Sequence, residues 1–330
     1  MGRLEMAKRA VVIGVSGQDG AYLARHLLEN DYEVIGLSRD AEASSFSNLR
    51  KLGIKDKIVF DSVSTTDFRS VLQSIGRYRP DEIYNLSGQS SVGLSFSQPV
   101  ETIDSHLQAT ITILEVIKFL DRPIRFYNAC SSECFGETDV DQPADELTPF
   151  RPKSPYALGK AAAFWVVNNY REAYGLFACS GILGNHESPL RSSRFVTQKV
   201  VKTAAEIKAG KQSKLVLGNT NIFRDWGWGP EYVVAMQAML AQDEPADFVI
   251  ATGVSYSLDH FIDLVFQAHG LSSEDHLETS EEFIRPTDIK YCYLNPRKAK
   301  DLLNWQAKKD TGQVVTALVE AHAATELDQG

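Results

Sequence analysis

The stretch Arg9-Ala-Val-Val-Ile-Gly14-Val-Ser-Gly17-Gln-Asp-Gly20-Ala-Tyr-Leu-Ala-Arg-His-Leu-Leu28 decides the fold. Its first five residues are β-branched or apolar and read as a buried strand; Leu23, Leu27 and Leu28 recur at helical spacing. Between them stands a GxxGxxG turn, a variant of the simple dinucleotide fingerprint. Glycines there let the chain turn tightly, bring N–H groups against a pyrophosphate and aim a helix N-terminus at its charge. A strand, Tyr32–Leu37, follows and ends in Ser38-Arg39-Asp40. An acid at that place suits the ribose 2′-OH of NAD, and an arginine the 2′-phosphate of NADP. Ser38 and Arg39 favour NADP(H), and Asp40 keeps NAD open.

Working outward, strand and helix keep alternating: strands at Lys57–Phe60, Glu82–Asn85 and Ile124–Tyr127, helices at Phe68–Tyr78, Ser105–Leu120 and Ser154–Tyr174. This order predicts an α/β fold, a Rossmann-type doubly wound parallel sheet whose ligands lie beyond the C-terminal strand ends. Beyond about Asn185 the strands shorten and Gly, Asn, Arg and Pro accumulate, the composition of a smaller C-terminal substrate-binding lobe. Residues 1–184 are expected to form mainly the NADP(H)-binding domain. Residues 185–330 are expected to form mainly the substrate lobe, with some strands and helices returning to the first domain. The polar tail from Ala323 is expected to fray.

The 330 residues carry a net charge of −9, which argues against a general nucleic-acid or membrane role. Met1–Lys8 lacks the apolar stretch of a signal peptide, and the cytoplasm is the expected compartment. Four cysteines without a C-x-x-C pair suit reducing surroundings, and Cys130 and Cys134 read as small packing residues. Seven scattered histidines form no ligand cluster, so no metal is expected.

Two short segments carry the chemistry. Ser131-Ser132-Glu133 follows a strand, and Tyr156-Ala-Leu-Gly-Lys160 opens a helix. Tyrosine is a poor base at its ordinary pKa of about 10, and a lysine one turn later favours the phenolate. Ser131 can bond the same substrate hydroxyl. Glu133 is the distinguishing residue: once a hexose carries a ketone at C4, its C5 hydrogen is acidic, and a carboxylate can remove it and protonate the departing C6 hydroxyl.

At these residues the chain resembles the extended short-chain dehydrogenase/reductases and, within them, the GDP-mannose 4,6-dehydratases. The likeness is carried by GVSGQDGAYLA from Gly14, SFSQPVET from Ser95, SSECFGE from Ser131, TPFRPKSPYALGK from Thr148 and NNYREAYG from Asn168. GILGNHESPLR from Gly181, FVTQKV from Phe195, LGN from Leu217, RDWG from Arg224, EYVVAM from Glu231, DFVIATG from Asp247, RPTD from Arg285 and LNW from Leu303 extend it. The resemblance implies a lyase that holds NADP(H), with Tyr156 and Lys160 as redox pair, Glu133 as C5 base and Ser131 on the C4 oxygen. It implies cofactor contacts from Gly14, Ser16, Gly17, Gln18, Asp19, Gly20, Arg39, Leu86, Ser87, Gln89, Tyr156, Lys160 and His186. GDP-sugar contacts would come from Ser90, Glu133, Asn185, Val196, Lys199, Leu217, Gly218, Arg224 and Arg285, the cations suiting a pyrophosphate. A homodimer or homotetramer is expected, through the helices near Ser105 and Ser154.

The chain departs from the family pattern in places. Ser131 stands where relatives have Thr, Arg39 is followed by Asp40-Ala-Glu-Ala where they have two arginines and a serine-rich loop, and Ser64-Thr65 replaces an acidic pair. Asn85-Leu-Ser-Gly-Gln-Ser90 replaces NLAAQS, and Gly184 replaces a larger aromatic, which is expected to admit a bulkier sugar. Dehydration of another GDP-sugar such as a GDP-heptose therefore stands as an alternative, beside a GDP-sugar 4-reductase or 4-epimerase and a non-catalytic dinucleotide sensor. Glu133 disfavours the reductase, and all four catalytic groups together disfavour the sensor.

Overall fold

The computed structural model describes residues 7–327, with side chains to 324. The reading of the first six residues as lacking a signal segment lies outside them. Its strands are β1 Arg9–Ile13, β2 Glu33–Ser38, β3 Val59–Ser62, β4 Glu82–Asn85, β5 Arg125–Ser131, β6 Ala178–Leu183, β7 Asn185–Glu187, β8 Leu215–Leu217, β9 Phe223–Trp228, β10 Phe248–Ile250, β11 Ser255–Ser257 and β12 Leu277–Thr279. The helices are α1 Gln18–Glu29, α2 Ser47–Lys51, α3 Phe68–Tyr78, α4 Val92–Ser95, α5 Pro99–Leu120, α6 Pro155–Tyr174, α7 Val196–Lys208, α8 Gly229–Leu240, α9 Leu258–Ala268, α10 Arg297–Leu303 and α11 Thr311–Leu327.

Seven strands form one parallel sheet in the order β10-β6-β5-β4-β1-β2-β3. Its strand order reverses between β1 and β4, so the crevice of a Rossmann-type fold opens at the ends of Ile13 and Asn85. Helices cover both faces. Leu23 and Leu27 of α1 and Tyr232, Val233 and Met236 of α8 close one; Val71 and Ile75 of α3 and Ile113, Leu114 and Ile117 of α5 close the other. This two-sided burial explains why the central strands read as continuous apolar runs. A third core joins α7, α9 and α11 with Trp226 of β9, and there β9 pairs with β7 and β11 in a small sheet. The chain returns from this half to supply β10, the edge strand of the large sheet.

Several boundaries differ from the sequence reading: β2 is shifted by one residue to Glu33–Ser38, and β5, expected to stop at Tyr127, runs from Arg125 to Ser131. The third strand starts at Val59 because Lys55–Lys57 form a 3-10 turn. The helix expected from Ser105 begins at Pro99, where a first-turn proline loses no intrahelical bond. The tail expected to fray from Ala323 stays helical to Leu327.

Candidate active site

Strand β5 ends at Ser131, buried at the C-terminal edge of the sheet, and the chain turns at once into a 3-10 helix, Ser132–Phe135. The Ser131 hydroxyl caps that turn by accepting from the Glu133 N–H at 3.3 Å, which fixes where Glu133 leaves the backbone. Helix α6 starts beside it. Ser154 caps the helix by accepting from the Ala157 N–H at 3.1 Å, Pro155 occupies the first turn, and Tyr156 lies one turn before Lys160.

The Lys160 ammonium lies 6.0 Å from the centre of the Tyr156 ring and donates to the carbonyl of Ala129 at 2.7 Å. Burial lowers the pKa of Lys160. Burial also raises that of Tyr156, opposed by a hydrogen bond with Ser131. Spacing suggested that the lysine favours the phenolate; here burial works against ionisation of the phenol, and the Ser131 hydrogen bond works for it. The edge of the His106 imidazole packs on Tyr156 at 5.4 Å, and His106 Nε2 donates to the carbonyl of Gln89 at 2.8 Å. Burial first and the Lys160 charge second push the pKa of His106 well down, so it stands neutral beside the lysine. His106 carried no signal in the sequence, being one of several polar residues on a helix of mixed composition.

The glycine turn fits a dinucleotide pyrophosphate. Gly14 has φ +87°, and a β-carbon on it would lie 2.8 Å from the carbonyl oxygen of Leu86; one on Gly20 would lie 2.3 Å from that of Gly14. These contacts let β1, β4 and α1 converge. Gly17 faces open space except for Gly14 O at 3.4 Å, and α1 begins there without a side-chain cap, so its first N–H groups are free to meet an anion. Gln18 Nε2 donates to Asp19 Oδ1 at 2.8 Å, and Ser188 Oγ donates to Gln18 Oε1 at 2.7 Å. Beyond β2, Arg39 is exposed, while Asp40 is engaged with its own loop, accepting from the N–H groups of Glu42 and Ala43. On the β4 side, Ser87 Oγ donates to Asn85 at 2.7 Å, and the Gln89 amide is folded onto Ser91 and Thr102; Leu86 is partly buried against the core, and Ser90 is exposed.

His186 joins the two halves. Its Nε2 donates to Asp19 Oδ2 at 3.0 Å and its Nδ1 to Gly184 O at 2.8 Å; with acceptors on both nitrogens, the ring is an imidazolium. Burial opposes that charge, but Asp19 raises the His186 pKa, and His186 in return lowers Asp19 to about 2 against its own burial. The ring stacks on Tyr232 at 4.5 Å, and Arg191 donates to the His186 carbonyl at 2.6 Å. Arg191 thus stands in this network, although the sequence reading passed over it.

On the opposite side of the crevice, Asn185 begins β7 and pairs with Trp226. Val196 and Lys199 share α7, where Lys199 Nζ donates to Val216 O at 2.7 Å and lies 4.5 Å from the centre of the Phe283 ring. Leu217 ends β8 and Gly218 follows it, so close to Phe283 that a β-carbon would lie 2.6 Å from its carbonyl oxygen. Arg285 is partly exposed, approaches Asp288 at 3.4 Å and extends toward Gly93 of α4, across the crevice. Arg224 is buried and lies 3.5 Å from Glu133 Oε1 and 3.2 Å from Asp288 Oδ1. Its sequence neighbour Asp225 instead accepts from the N–H groups of Thr252 and Gly253, and burial raises its pKa to about 6.

A family model described as GDP-mannose 4,6 dehydratase matches residues 11–318. The chain belongs to this family. GDP-mannose 4,6 dehydratase 1 of Arabidopsis thaliana is 41% identical over 323 residues, covering 95% of this chain and 89% of that protein. A GDP-mannose 4,6-dehydratase of Vibrio cholerae is 39% identical over 336 residues, covering 91% and 90%. The fold is also that of a solved dTDP-glucose 4,6-dehydratase from Bacillus anthracis in complex with NAD, at TM-score 0.85 and 20% identity, covering 97% of this chain and 98% of that one. RMD from Pseudomonas aeruginosa complexed with NADPH matches at TM-score 0.81 and 19% identity, over 97% and 100%. As a GDP-mannose 4,6-dehydratase family member the chain is a hydro-lyase that works with a bound nicotinamide dinucleotide, and the glycine cradle fits that group.

Family membership sharpens one departure. Gly184 was expected to open room for a bulkier sugar, but a β-carbon there would meet Leu294 at 3.2 Å, Ala251 at 3.4 Å and the Asp225 carboxylate at 3.5 Å. The space is filled by the returning chain and does not enlarge the crevice, which removes the support for a GDP-heptose. The four cysteines are buried and unpaired, Cys130 and Cys134 packing at 3.7 Å between sulfurs. Among the described residues no cluster of His, Cys, Asp and Glu has metal-binding geometry, and no helix is long and apolar enough to cross a membrane.

Proposed function

We propose that this chain converts GDP-mannose to GDP-4-keto-6-deoxymannose and water, with the labour divided among Tyr156, Lys160, Ser131 and Glu133. Tyr156 takes the proton of the C4 hydroxyl. Ser131, bonded to Tyr156, holds the C4 oxygen, and Lys160, fixed on Ala129 O, supplies the neighbouring positive charge. Glu133 removes the C5 proton and delivers a proton to the C6 hydroxyl, which leaves as water. A nicotinamide dinucleotide held at the glycine turn would supply the acceptor for the C4 hydride and the donor for C6, and the proton that Tyr156 took passes to C5, so that protein and cofactor would end each turnover as they began. Glu133, held by the Ser131 turn at the mouth of the crevice, carries this reading: neither a 4-reductase nor a sensor needs a carboxylate there.

Residues 1–184 serve mainly the cofactor and 185–330 mainly the GDP-sugar. The exposed Arg39, with Asp40 spent on its own turn, favours NADP(H) over NAD. Gly14, Ser16, Gly17, Gln18, Gly20, Leu86, Ser87 and Gln89 line the cofactor side, with Asp19 and His186 behind the helix start. Ser90, Asn185, Val196, Lys199, Leu217, Gly218 and Arg285 line the GDP side. Exposed Val100 and Phe119 on α5 and Leu158, Trp165 and Tyr174 on α6 suit pairing with a second copy into a homodimer or homotetramer. Unpaired cysteines suit the cytoplasm.

The test is incubation of purified protein with GDP-mannose in deuterated water without added cofactor. A 4-keto-6-deoxy product labelled at C5 is expected. Stoichiometric oxidation or reduction of nicotinamide sinks the proposal. For assembly, Trp165→Glu should lower the mass in sedimentation.

A further inference from the structure

Gln89, in the loop after β4, is gripped by two consecutive residues of α5. Its N–H donates to Ser105 Oγ at 3.1 Å, and its carbonyl accepts from His106 Nε2 at 2.8 Å. The same imidazole turns its edge to Tyr156, with the ring centres 5.4 Å apart and the planes at 82°. His106 is 3% exposed and lines one small cavity with Lys160, Asn128 and Thr110. One buried side chain thus joins the loop that carries Leu86, Ser87 and Gln89 to the helix that carries Tyr156.

Gly88 makes room for that ring. A β-carbon on it would lie 2.3 Å from His106 Cε1 and 2.4 Å from Nδ1, while Gly159 of α6 stands near the ring's other edge, where a β-carbon would touch Cδ2 at 3.5 Å. The family pattern NLAAQS has alanine at the place of Gly88. An alanine there and the His106 ring cannot both occupy this space, so the departure at 88 and the imidazole belong together.

We propose that His106 is a positioning residue for the oxidation at C4: it holds the Tyr156 ring and the Gln89 main chain in one register. Proton removal by Tyr156 and hydride loss must occur at the same substrate carbon, and a misplacement of about 1 Å costs about 10²-fold in rate. Burial and the Lys160 charge keep the ring neutral, so it donates through Nε2 without adding a second charge beside the lysine. The inference rests on the dehydratase reading and names what aims that reading's tyrosine.

The test uses the holoenzyme, its His106→Ala, His106→Gln and Gly88→Ala variants, and the double variant of His106→Ala with Gly88→Ala, all with NADP(H) saturating. With His106→Ala, kcat on GDP-mannose should fall about 10²-fold while KM stays within about threefold. Added to Glu133→Gln, His106→Ala should slow the rise of absorbance at 340 nm on mixing with substrate by a similar factor, since the defect is in C4 oxidation. His106→Gln, whose amide can still donate to Gln89 O, should recover about tenfold or more of the loss. Gly88→Ala should itself lower kcat, and the double variant should lose about tenfold less than the product of the single losses. The strain of a side chain at φ +114° is common to both backgrounds and cancels in this cycle. The same cycle in thermal melts, which needs no substrate, should be non-additive in the same sense. A kcat within about threefold of wild type in His106→Ala, an unchanged oxidation rate, no recovery by His106→Gln, or losses that multiply in the double variant overturns the inference. If His106→Ala does not fold, Gly88→Ala decides, and an unchanged kcat overturns it. Wild-type protein that forms no product from GDP-mannose defeats the dehydratase reading instead; the melts then decide for His106, and additive losses overturn its role.

Discussion

The cofactor turn and the GDP-sugar side of the crevice are built by opposite means. Between β1 and α1 the site is backbone: Gly14 and Gly20 let main-chain atoms approach so closely that a single added methyl collides with a carbonyl. Across the crevice it is side chain: Lys199, Phe283, Arg285 and Asp288 gather from α7 and a partly exposed loop. A backbone site is rigid and intolerant; a side-chain site adapts. Glu133 stands on the seam, rooted by Ser131 in the first region and paired with Arg224 in the second.

That contrast can be broken most directly at Gly20. Gly20→Ala places a methyl 2.3 Å from Gly14 O and 2.7 Å from Val15 Cα, main-chain atoms that cannot yield as a flexible side chain would. We expect loss of bound nicotinamide cofactor, hence of turnover, and about 3 kcal/mol of stability, read as ultraviolet absorbance of the purified protein and a thermal melt. Retained cofactor would show that the turn is softer than it looks.

At the seam, Glu133→Gln should lower dehydration about 10³-fold while oxidation at C4 persists, visible as absorbance at 340 nm on mixing with substrate. Full dehydration by this variant would remove Glu133 from its role.

The Asp19–His186 pair tests how firmly the halves are tied. Asp19 falls from its ordinary 3.8 to about 2, so its contribution is present above about pH 4 and disappears as pH falls toward 2. His186 is raised, so its contribution is complete below its ordinary 6.5 and disappears as pH rises through the folded value. Asp19→Asn should therefore cost about 2 kcal/mol near pH 5.5 in urea denaturation, and less at both extremes. A pH-independent difference would refute the charged pair.

The smallest effect is expected at Gly218→Ala. Its β-carbon would also meet a carbonyl, that of Phe283 at 2.6 Å, but this loop is exposed at Phe283 and Ile284 and can yield. KM for GDP-mannose should rise by less than about tenfold, or ~1.4 kcal/mol, with cofactor content unchanged. A collapse as severe as that of Gly20→Ala would erase the distinction between the regions.

Much of the fold was legible in the chain because its signals are local. The β-branched run before Gly14, the glycine spacing and the leucines after Gly20 each follow from residues within one turn or strand of one another. The helix Phe68–Tyr78 and the strand Glu82–Asn85 were bounded correctly for the same reason. Tyr156 and Lys160 were legible because one helical turn separates them. Misreadings arose where contacts are distant. Gly184 looked like an opening until Leu294 and Ala251 were found packed on it, and His106 gained meaning when α5 brought it against Tyr156.

The sequence by itself determined the Rossmann-type sheet, the dinucleotide turn and the inventory of catalytic groups, since periodicity, glycine spacing and i+4 neighbours are properties of short segments. Tertiary structure alone decided their electrical state. Burial raises Tyr156 against the Ser131 hydrogen bond; Asp19 charges His186 from the start of α1; and the fold brings Arg224 of β9 within 3.5 Å of Glu133. Charge and desolvation act through space, across more than a hundred residues of chain in the His186 contact, and no local pattern in the sequence carries that information.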